Sequence, residues 1–340
     1  MRAHLRLAWL VLRSLTWRRL WNALQVWASY RITRLVGRPV HWGLPIALGI
    51  EPTTACNLRC PQCVSGLRAF TRPTGRLKPE VFHGLIDELA PTTSKLILYF
   101  QGEPYLNPHL FELVRYATGR GLFVGTSTNA HFLTPQAAQA TVQSGLQHLV
   151  VSVDGATQAT YSQYRKEGEL ATVLEGIRNL VAAKRAAGAS TPFVELQFIV
   201  FRHNEHEIGA MRALARELGV DKLALKTAQI YDTDGPGAEL IPTQARYRRY
   251  TLTAAGFRLK AGTLNHCWKL WSGAEVTWDG RVLPCCFDKD ARYLMGTYPE
   301  ASFGAIWRGD AYRAFRRTLT QRRGAIDICQ NCTEGTRVWA

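Results

Sequence analysis

From Ile46 to about Gln229 the apolar residues of this chain alternate between two patterns. Short, largely apolar runs at 46–51, 193–201 and 222–228 have the length of strands covered on both faces, and further strand-like stretches begin at Lys95, Phe123 and His148. Between them, stretches at 79–90, 108–119, 135–144, 170–187 and 205–218 carry apolar residues at helical spacing. The last begins after Asn204, a helix-capping residue, and stops at Gly219. Strand–helix alternation of this kind implies a parallel sheet covered by helices, and six such units predict an α/β fold, a partial barrel open on one side. No repeat of 20–50 residues is visible beyond this alternation.

Before residue 46 the pattern is different. Its longest apolar run, Leu7–Leu12, falls far short of the ~20 residues that span a bilayer. It is also short for a signal-peptide core, and no small-residue cleavage site follows. At helical spacing Leu5, Trp9, Leu12, Leu20, Leu24 and Trp27 fall near one face, with the arginines largely elsewhere. Charge sharpens this picture. The 340 residues hold 42 Lys and Arg against 26 Asp and Glu, a formal charge of +16. Residues 1–50 contain eight arginines, no lysine and no acid, and five of the ten tryptophans; the remaining 290 residues carry only +8. With 46% hydrophobic and 20% charged residues, the chain is not a disordered basic tail. A helical extension over 1–44 could cap the body with its Trp face, or make peripheral contact with a membrane through residues 1–40. Bare charge could also draw acidic lipid or nucleic acid, though no nucleic acid is expected, and the composition has something of a transit peptide.

The cysteines carry more chemistry than the charge. Cys56, Cys60 and Cys63 form one group, and Cys267, Cys285, Cys286, Cys329 and Cys332 a second, with none between. That grouping, with no export signal, fits metal binding in a reducing compartment better than a disulfide framework. The first group has the spacing C-x3-C-x2-C on a loop after the strand at 46–51. Three thiolates this close can hold three corners of an iron–sulfur cube and leave the fourth iron open. A structural zinc normally wants four closed ligands.

This loop resembles the defining motif of the radical SAM superfamily, and three further stretches extend the resemblance. The segment Lys95–Pro104 is similar to a strand ending in the family's Gly-Glu-Pro signature; there Gly102 permits close backbone approach and Glu103 accepts from the amino group of S-adenosyl-L-methionine. Phe123–Asn129 resembles the next strand, with Ser127 and Asn129 near the methionine and ribose, and His148–Gly155 the fourth, with Ser152 and Asp154 facing the cofactor. Arg165 matches an arginine that contacts the cofactor carboxylate in related maturases. The family's common aromatic before the third cysteine is Gln62 here. The resemblance implies a partial (β/α)6 TIM-like barrel over 45–230, whose motifs sit at the C-terminal ends of strands.

After a linker at 231–265, residues 266–340 resemble a SPASM or twitch-type module of small α+β form. Ala274–Pro284 reads as a hairpin turning at Asp279-Gly280. The resemblance implies that Cys267, Cys285, Cys329 and Cys332 hold an auxiliary [4Fe–4S] cluster. Cys286 is the adjacent thiol and could replace Cys285, and a zinc site with four cysteines is the other reading of this group. Asp288-Lys289-Asp290 could face a substrate or form a solvated turn; Lys226, Gln229, Tyr231 and Asp232 could line the barrel mouth. The basic run Arg308, Arg313, Arg316, Arg317, Arg322 and Arg323 lies on a helix and reads as a solvated face, with a binding site as the alternative.

The activity implied is that of a cytoplasmic radical SAM enzyme. Cys56, Cys60 and Cys63 hold a [4Fe–4S] cluster whose open iron chelates S-adenosyl-L-methionine. An electron from a reduced flavodoxin- or ferredoxin-like donor then cleaves it to methionine and a 5′-deoxyadenosyl radical, which takes hydrogen from a peptide or protein substrate. A membrane-associated small molecule or lipid is the alternative substrate, and a non-catalytic iron–sulfur or zinc binding protein the alternative class.

Overall fold

The computed structural model describes residues 2–231, 235–254, 256–260, 262 and 264–334. In chain order the helices and strands begin with α1 (Arg2–Leu12), α2 (Trp17–Val36), β1 (Ala47–Ile50), α3 (Val64–Leu67), α4 (Pro79–Leu89), β2 (Lys95–Ile97), α5 (Leu110–Gly119) and β3 (Phe123–Thr128). They continue with α6 (Pro135–Gln143), β4 (His148–Ser152), α7 (Gln158–Tyr164), α8 (Leu170–Ala186), β5 (Phe193–Val200), α9 (Ile208–Glu217) and β6 (Lys222–Thr227). The rest are β7 (Tyr250–Thr253), β8 (Gly256–Leu259), α10 (Trp268–Ser272), β9 (Gly273–Val276), β10 (Arg281–Leu283), β11 (Gly296–Thr297), α11 (Phe303–Arg308), α12 (Asp310–Arg322) and α13 (Asp327–Gln330). Two compact units take up the described residues. One comprises those of Met1–Ala55, Phe70–Gly125 and Thr263–Thr336, the other those of Cys56–Ala69 and Thr126–Gly262.

In the first unit the strand order is β11-β10-β9-β1-β2-β3. β1 pairs in parallel with β2 through Leu48 opposite Leu96, and with β9 through Leu48 opposite Ala274. β9, β10 and β11 are antiparallel, the expected hairpin among them. The C-terminal module therefore lies alongside the first barrel strand, a long-range pairing that no local periodicity announces. In the second unit β4, β5 and β6 run parallel, with Val151 opposite Leu196 and Leu196 opposite Leu223. No sheet closes. The strands are buried on both faces (Leu48, Leu96, Val124, Leu149, Val151, Leu196, Phe198), which is why they read as largely apolar runs.

The N-terminal helices belong to the first unit, and their packing corrects the expectation of a Trp face laid on the body. α2 is capped by Thr16, whose hydroxyl accepts from Arg19 N, and ends at Gly37 in the left-handed region at φ 69°. The residues it buries are Arg19, Asn22, Val26, Ser29, Tyr30 and Thr33. Asn22 bonds the backbone of Leu44 and Thr92, and the Arg19 guanidinium reaches the carbonyls of Ser14, Ala90, Arg120 and Gly121. Tyr30 packs edge-on to Trp268 and Trp271 and bonds His266 at 3.0 Å. The docking face is thus mostly polar. The apolar face points out: Trp17 is 74% exposed and Leu12 60%, with Trp9, Trp21, Leu24 and Trp27 also exposed. Among the described residues no helix is long and apolar enough to cross a membrane.

Candidate active site and auxiliary metal centre

The loop after β1 carries Cys56, Cys60 and Cys63, and in the second unit it rests on an apolar cluster of its own. Leu58, Tyr164, Phe201, Ala228, Ile230 and Tyr250 are buried there with Cys60, and Cys56 and Cys63 pack against them. Cys63 caps the short helix α3, whose Gly66 lies so close to the loop that an added Cβ would stand 2.6 Å from Cys60 N. The sulfurs face donors. Leu58 N lies 3.4 Å from Cys56 Sγ, Asn129 Nδ2 4.0 Å from the same sulfur, and Arg165 Nη1 3.9 Å from Cys60 Sγ. Burial pushes the Cys60 thiol up to about 11, with Arg165 pulling the other way, so loading a metal there must release protons.

Arg165 is the C-cap of α7, a helix capped by Thr157 that the apolar pattern did not reveal. Its guanidinium forks onto the fully buried Asp154, with Nε and Nη2 at 2.7 and 2.6 Å from Oδ2. Although burial alone would lower it, the Asp154 charge holds the Arg165 pKa well above its ordinary value. The other Asp154 oxygen accepts from Ile199 N at 2.7 Å. Both Asp154 oxygens are thus engaged, one by Arg165 and the other by Ile199 N. Asn129 donates to Asn57 Oδ1 at 2.7 Å, and its own oxygen accepts from His131 N. Ser127 is half-buried on β3, and Ser152 is buried at the end of β4. Gln62, in place of the common aromatic, accepts from Tyr231 N at 2.9 Å. Asp232 lies outside the described residues.

In the first unit, Gly102 has φ 72°, and an added Cβ would lie 2.2 Å from Thr53 O and 2.8 Å from Ala55 O. Its neighbour Glu103 is buried and donates from its backbone N to Ala55 O at 2.7 Å, one residue before Cys56 in the chain. The glycine is required for this close passage of two backbones.

The second cysteine group also lies in the first unit. Cys267, Cys285, Cys329 and Cys332 line one small pocket with Arg323 and Leu270. Arg323 is buried, and its Nη2 stands 3.4 Å from Cys332 Sγ. Cys286 is not among the lining residues, but its sulfur lies 2.8 Å from Nζ of Lys269, which is. The expected solvated turn at 288–290 is instead tied down. Asp288 accepts from the backbone of Arg292 and Tyr293, and Asp290 from Thr71.

Both sites suit iron–sulfur clusters by donor chemistry: thiols only, in apolar surroundings, with N–H groups directed at sulfur. Among the described residues no three His, Cys, Asp or Glu side chains stand as ligands around a single metal ion.

A family model described as the radical SAM superfamily matches residues 50–215, and one described as an iron–sulfur cluster-binding domain, SPASM, matches residues 267–333. The second match replaces the zinc reading of the C-terminal cysteines. The chain is 30% identical over 324 residues to mycofactocin maturase MftC of Mycobacterium ulcerans, covering 88% of this chain and 84% of that protein. It is 28% identical over 299 residues to PqqA peptide cyclase of Ruegeria pomeroyi, covering 81% and 77%. A 176-residue stretch is 34% identical to AdoMet-dependent heme synthase of Methanosarcina barkeri and spans only 52% of this chain and 48% of that protein. Two solved structures share the fold. Streptococcus suis SuiB bound to precursor peptide SuiA matches with a TM-score of 0.63 and 14% identity, over 94% of this chain and 76% of that one. Native anSMEcpe with bound AdoMet and Cp18Cys peptide matches with a TM-score of 0.60 and 16% identity, over 87% and 90%.

Proposed function

The chain belongs to the radical SAM superfamily and carries a SPASM iron–sulfur module, and on that premise we propose that it is a maturase acting on a peptide at a membrane surface. Its cofactors are a SAM-binding [4Fe–4S] cluster and an auxiliary iron–sulfur centre. When bound, these supply reductive cleavage of S-adenosylmethionine and hydrogen abstraction from the substrate; the protein contributes holding, orientation and exclusion of water.

Cys56, Cys60 and Cys63 are assigned to the SAM-binding cluster. The observation that carries this is the cradle around them: three thiols on one loop, with Leu58 N, Asn129 and Arg165 directed at sulfur. Donors of this kind offset thiolate charge, and Asp154 keeps the Arg165 fork in place. Gly102, Glu103, Ser127, Asn129, Ser152 and Arg165 are assigned to S-adenosylmethionine from their order along the chain, with Asp154 as the residue that positions Arg165. Cys267, Cys285, Cys329 and Cys332 are assigned to the auxiliary centre, with Arg323 and Lys269 as cations lining it. A reduced flavodoxin- or ferredoxin-like protein is the proposed donor of electrons.

Support for a peptide comes from the relatives, among them a PqqA peptide cyclase and a structure of SuiB with a precursor peptide. The membrane location rests on the outward Trp and Leu face of α1 and α2. That face also favours a second reading, a membrane-associated small molecule or lipid as substrate. The test is anaerobic reconstitution of the full chain, iron counting, and assay of 5′-deoxyadenosine under strong reductant. About eight irons per chain, four for each cluster, and deoxyadenosine release are expected. Replacing Cys56, Cys60 and Cys63 by Ala should abolish release and leave the second site's iron. A precursor peptide encoded beside the gene should change mass in the same assay. Failure of the wild type to release deoxyadenosine would overturn the assignment, and release without change of any such peptide would favour the small-molecule reading.

A further inference from the structure

Of the basic run that begins on α11 and continues along α12, Arg308, Arg313, Arg317 and Arg322 are exposed, as a solvated face requires, but Arg316 and Arg323 are buried. Arg308, Arg313, Arg316 and Arg317, with Pro39 and His41, line a surface pocket of about 280 Å³, against the ~30 Å³ that one water occupies in the liquid. Arg316 is only 2% exposed. Its Nη1 donates to Trp307 O at 3.0 Å, and its guanidinium carbon stacks 4.4 Å from the Trp307 ring centre and 4.6 Å from that of Tyr312. Its Nε and Nη2 are buried with no hydrogen-bond partner, and so is Trp307 Nε1.

A buried guanidinium is costly unless something pairs with it. Stacking on two aromatic rings recovers part of that cost but satisfies no N–H donor. Among the described residues no carboxylate is paired with Arg316, and the nearby Asp310 is taken by Arg313 at 3.1 Å. Burial pulls the Arg316 pKa down to about 10. His41 adds no charge of its own, since burial first and then Arg316 push its pKa down to about 3, leaving it neutral. The two unpartnered nitrogens are those on one edge of the guanidinium, the edge that takes two oxygens of a carboxylate or phosphate in parallel.

We propose that this pocket binds a phosphate group, anchored bidentately by Arg316 and completed by the exposed Arg308, Arg313 and Arg317. Four guanidinium groups line one pocket, while Asp310 is paired with Arg313 and Glu88 accepts from the backbone of Phe303 and Gly304; that excess of positive charge suits a doubly charged phosphate monoester better than a singly charged carboxylate. The group can belong to a soluble ester or to a phospholipid head group.

The test uses the reconstituted full chain at constant ionic strength, titrated with inorganic phosphate by calorimetry and followed by thermal unfolding. Saturable binding and a raised unfolding midpoint are expected. Arg316→Gln should weaken binding at least about tenfold, the loss of a charge-assisted bidentate contact. Because a buried substitution can compromise folding, the triple variant R308A/R313A/R317A is measured beside it, and the same direction is expected. No saturable phosphate binding by the wild type, or unchanged binding in the folded triple variant, would overturn the proposal. A vesicle arm separates the sources. Binding to phosphatidic acid vesicles in preference to phosphatidylglycerol vesicles, lost in the triple variant, assigns the phosphate to a lipid head group. Equal binding to both, with phosphate binding intact, assigns it to a soluble ester.

Discussion

Gly66 shows how a residue with no side chain can govern a metal site. It lies on α3, just after Cys63, and an added Cβ would meet Cys60 N at 2.6 Å and Cys60 O at 2.7 Å. Both contacts are with backbone, so relief must come from moving the cysteine loop itself. Gly66→Ala is therefore expected to lose the first cluster's iron and cut deoxyadenosine release at least about tenfold, since an ångström of misplacement at a reacting centre can cost more than that. The second site's iron should persist. Gly119→Ala, where nothing lies within 4 Å, serves as the control and should leave both unchanged. Retention of the first cluster in Gly66→Ala would show that the loop tolerates the shift. The spacing C-x3-C-x2-C names the thiols but not this glycine, because close packing between a helix and a loop leaves no periodic trace. Asp154 makes the same point from the other side. Asp154 and Arg165 were each legible by motif, but their pairing was not, because Arg165 caps the C-terminal end of α7, seven residues long and too short to announce itself by period.

At the scale of elements, the long periodic helices were readable to within a residue or two: α4, α5, α6 and α8 lie where the spacing put them, while β2 stops at Ile97, short of the stretch expected, and the front of the 205–218 stretch forms a 3-10 turn before α9. What the pattern could not carry was long-range pairing, such as β9 beside β1, and the choice of which face of α2 docks. The usual rule buries the apolar stripe, and here Arg19 reverses it. Its guanidinium donates to the carbonyls of Ala90, Arg120 and Gly121, the C-terminal ends of α4 and α5, and to Ser14 O. A cation there meets both helix dipoles and satisfies carbonyls that have no helical partner. Arg19→Ala would leave those acceptors without their donor, at a cost of about 2–4 kcal/mol. Because the contacts gather at the N-terminal extension, the expected loss is local. Limited proteolysis should cut within residues 13–40 of the variant well before it attacks the body, and the iron content should be unchanged. Equal protease resistance in variant and wild type would mean that Asn22 and Tyr30 suffice to dock α2.

The whole molecule presents two kinds of basic surface with different physics. The pocket on α12 is a localised site with one buried anchor, whereas α1 and α2 form an open face where arginines flank exposed tryptophans, Arg13 over Trp9 and Arg31 over Trp27. With no acid among residues 1–50, nothing on that segment repels an anionic bilayer. Each arginine near such a surface contributes roughly 1 kcal/mol, and the Trp and Leu side chains add apolar burial at the head-group level. Flotation should therefore carry the full chain with vesicles containing anionic lipid, carry less with neutral vesicles, and weaken in high salt as the Debye length shrinks. The decisive variant is W17A/W21A/W27A. Its three positions are exposed and absent from the buried face of α2, so docking is preserved while the apolar contribution is removed. Loss of flotation with the arginines and clusters intact ties membrane contact to this face; wild-type flotation by the triple variant would rule it out. Sedimentation without lipid covers the remaining occupant of such a surface. If the wild type is a dimer that the same three substitutions dissociate, the exposed tryptophans are a subunit interface, and the enzyme meets its substrate away from the bilayer.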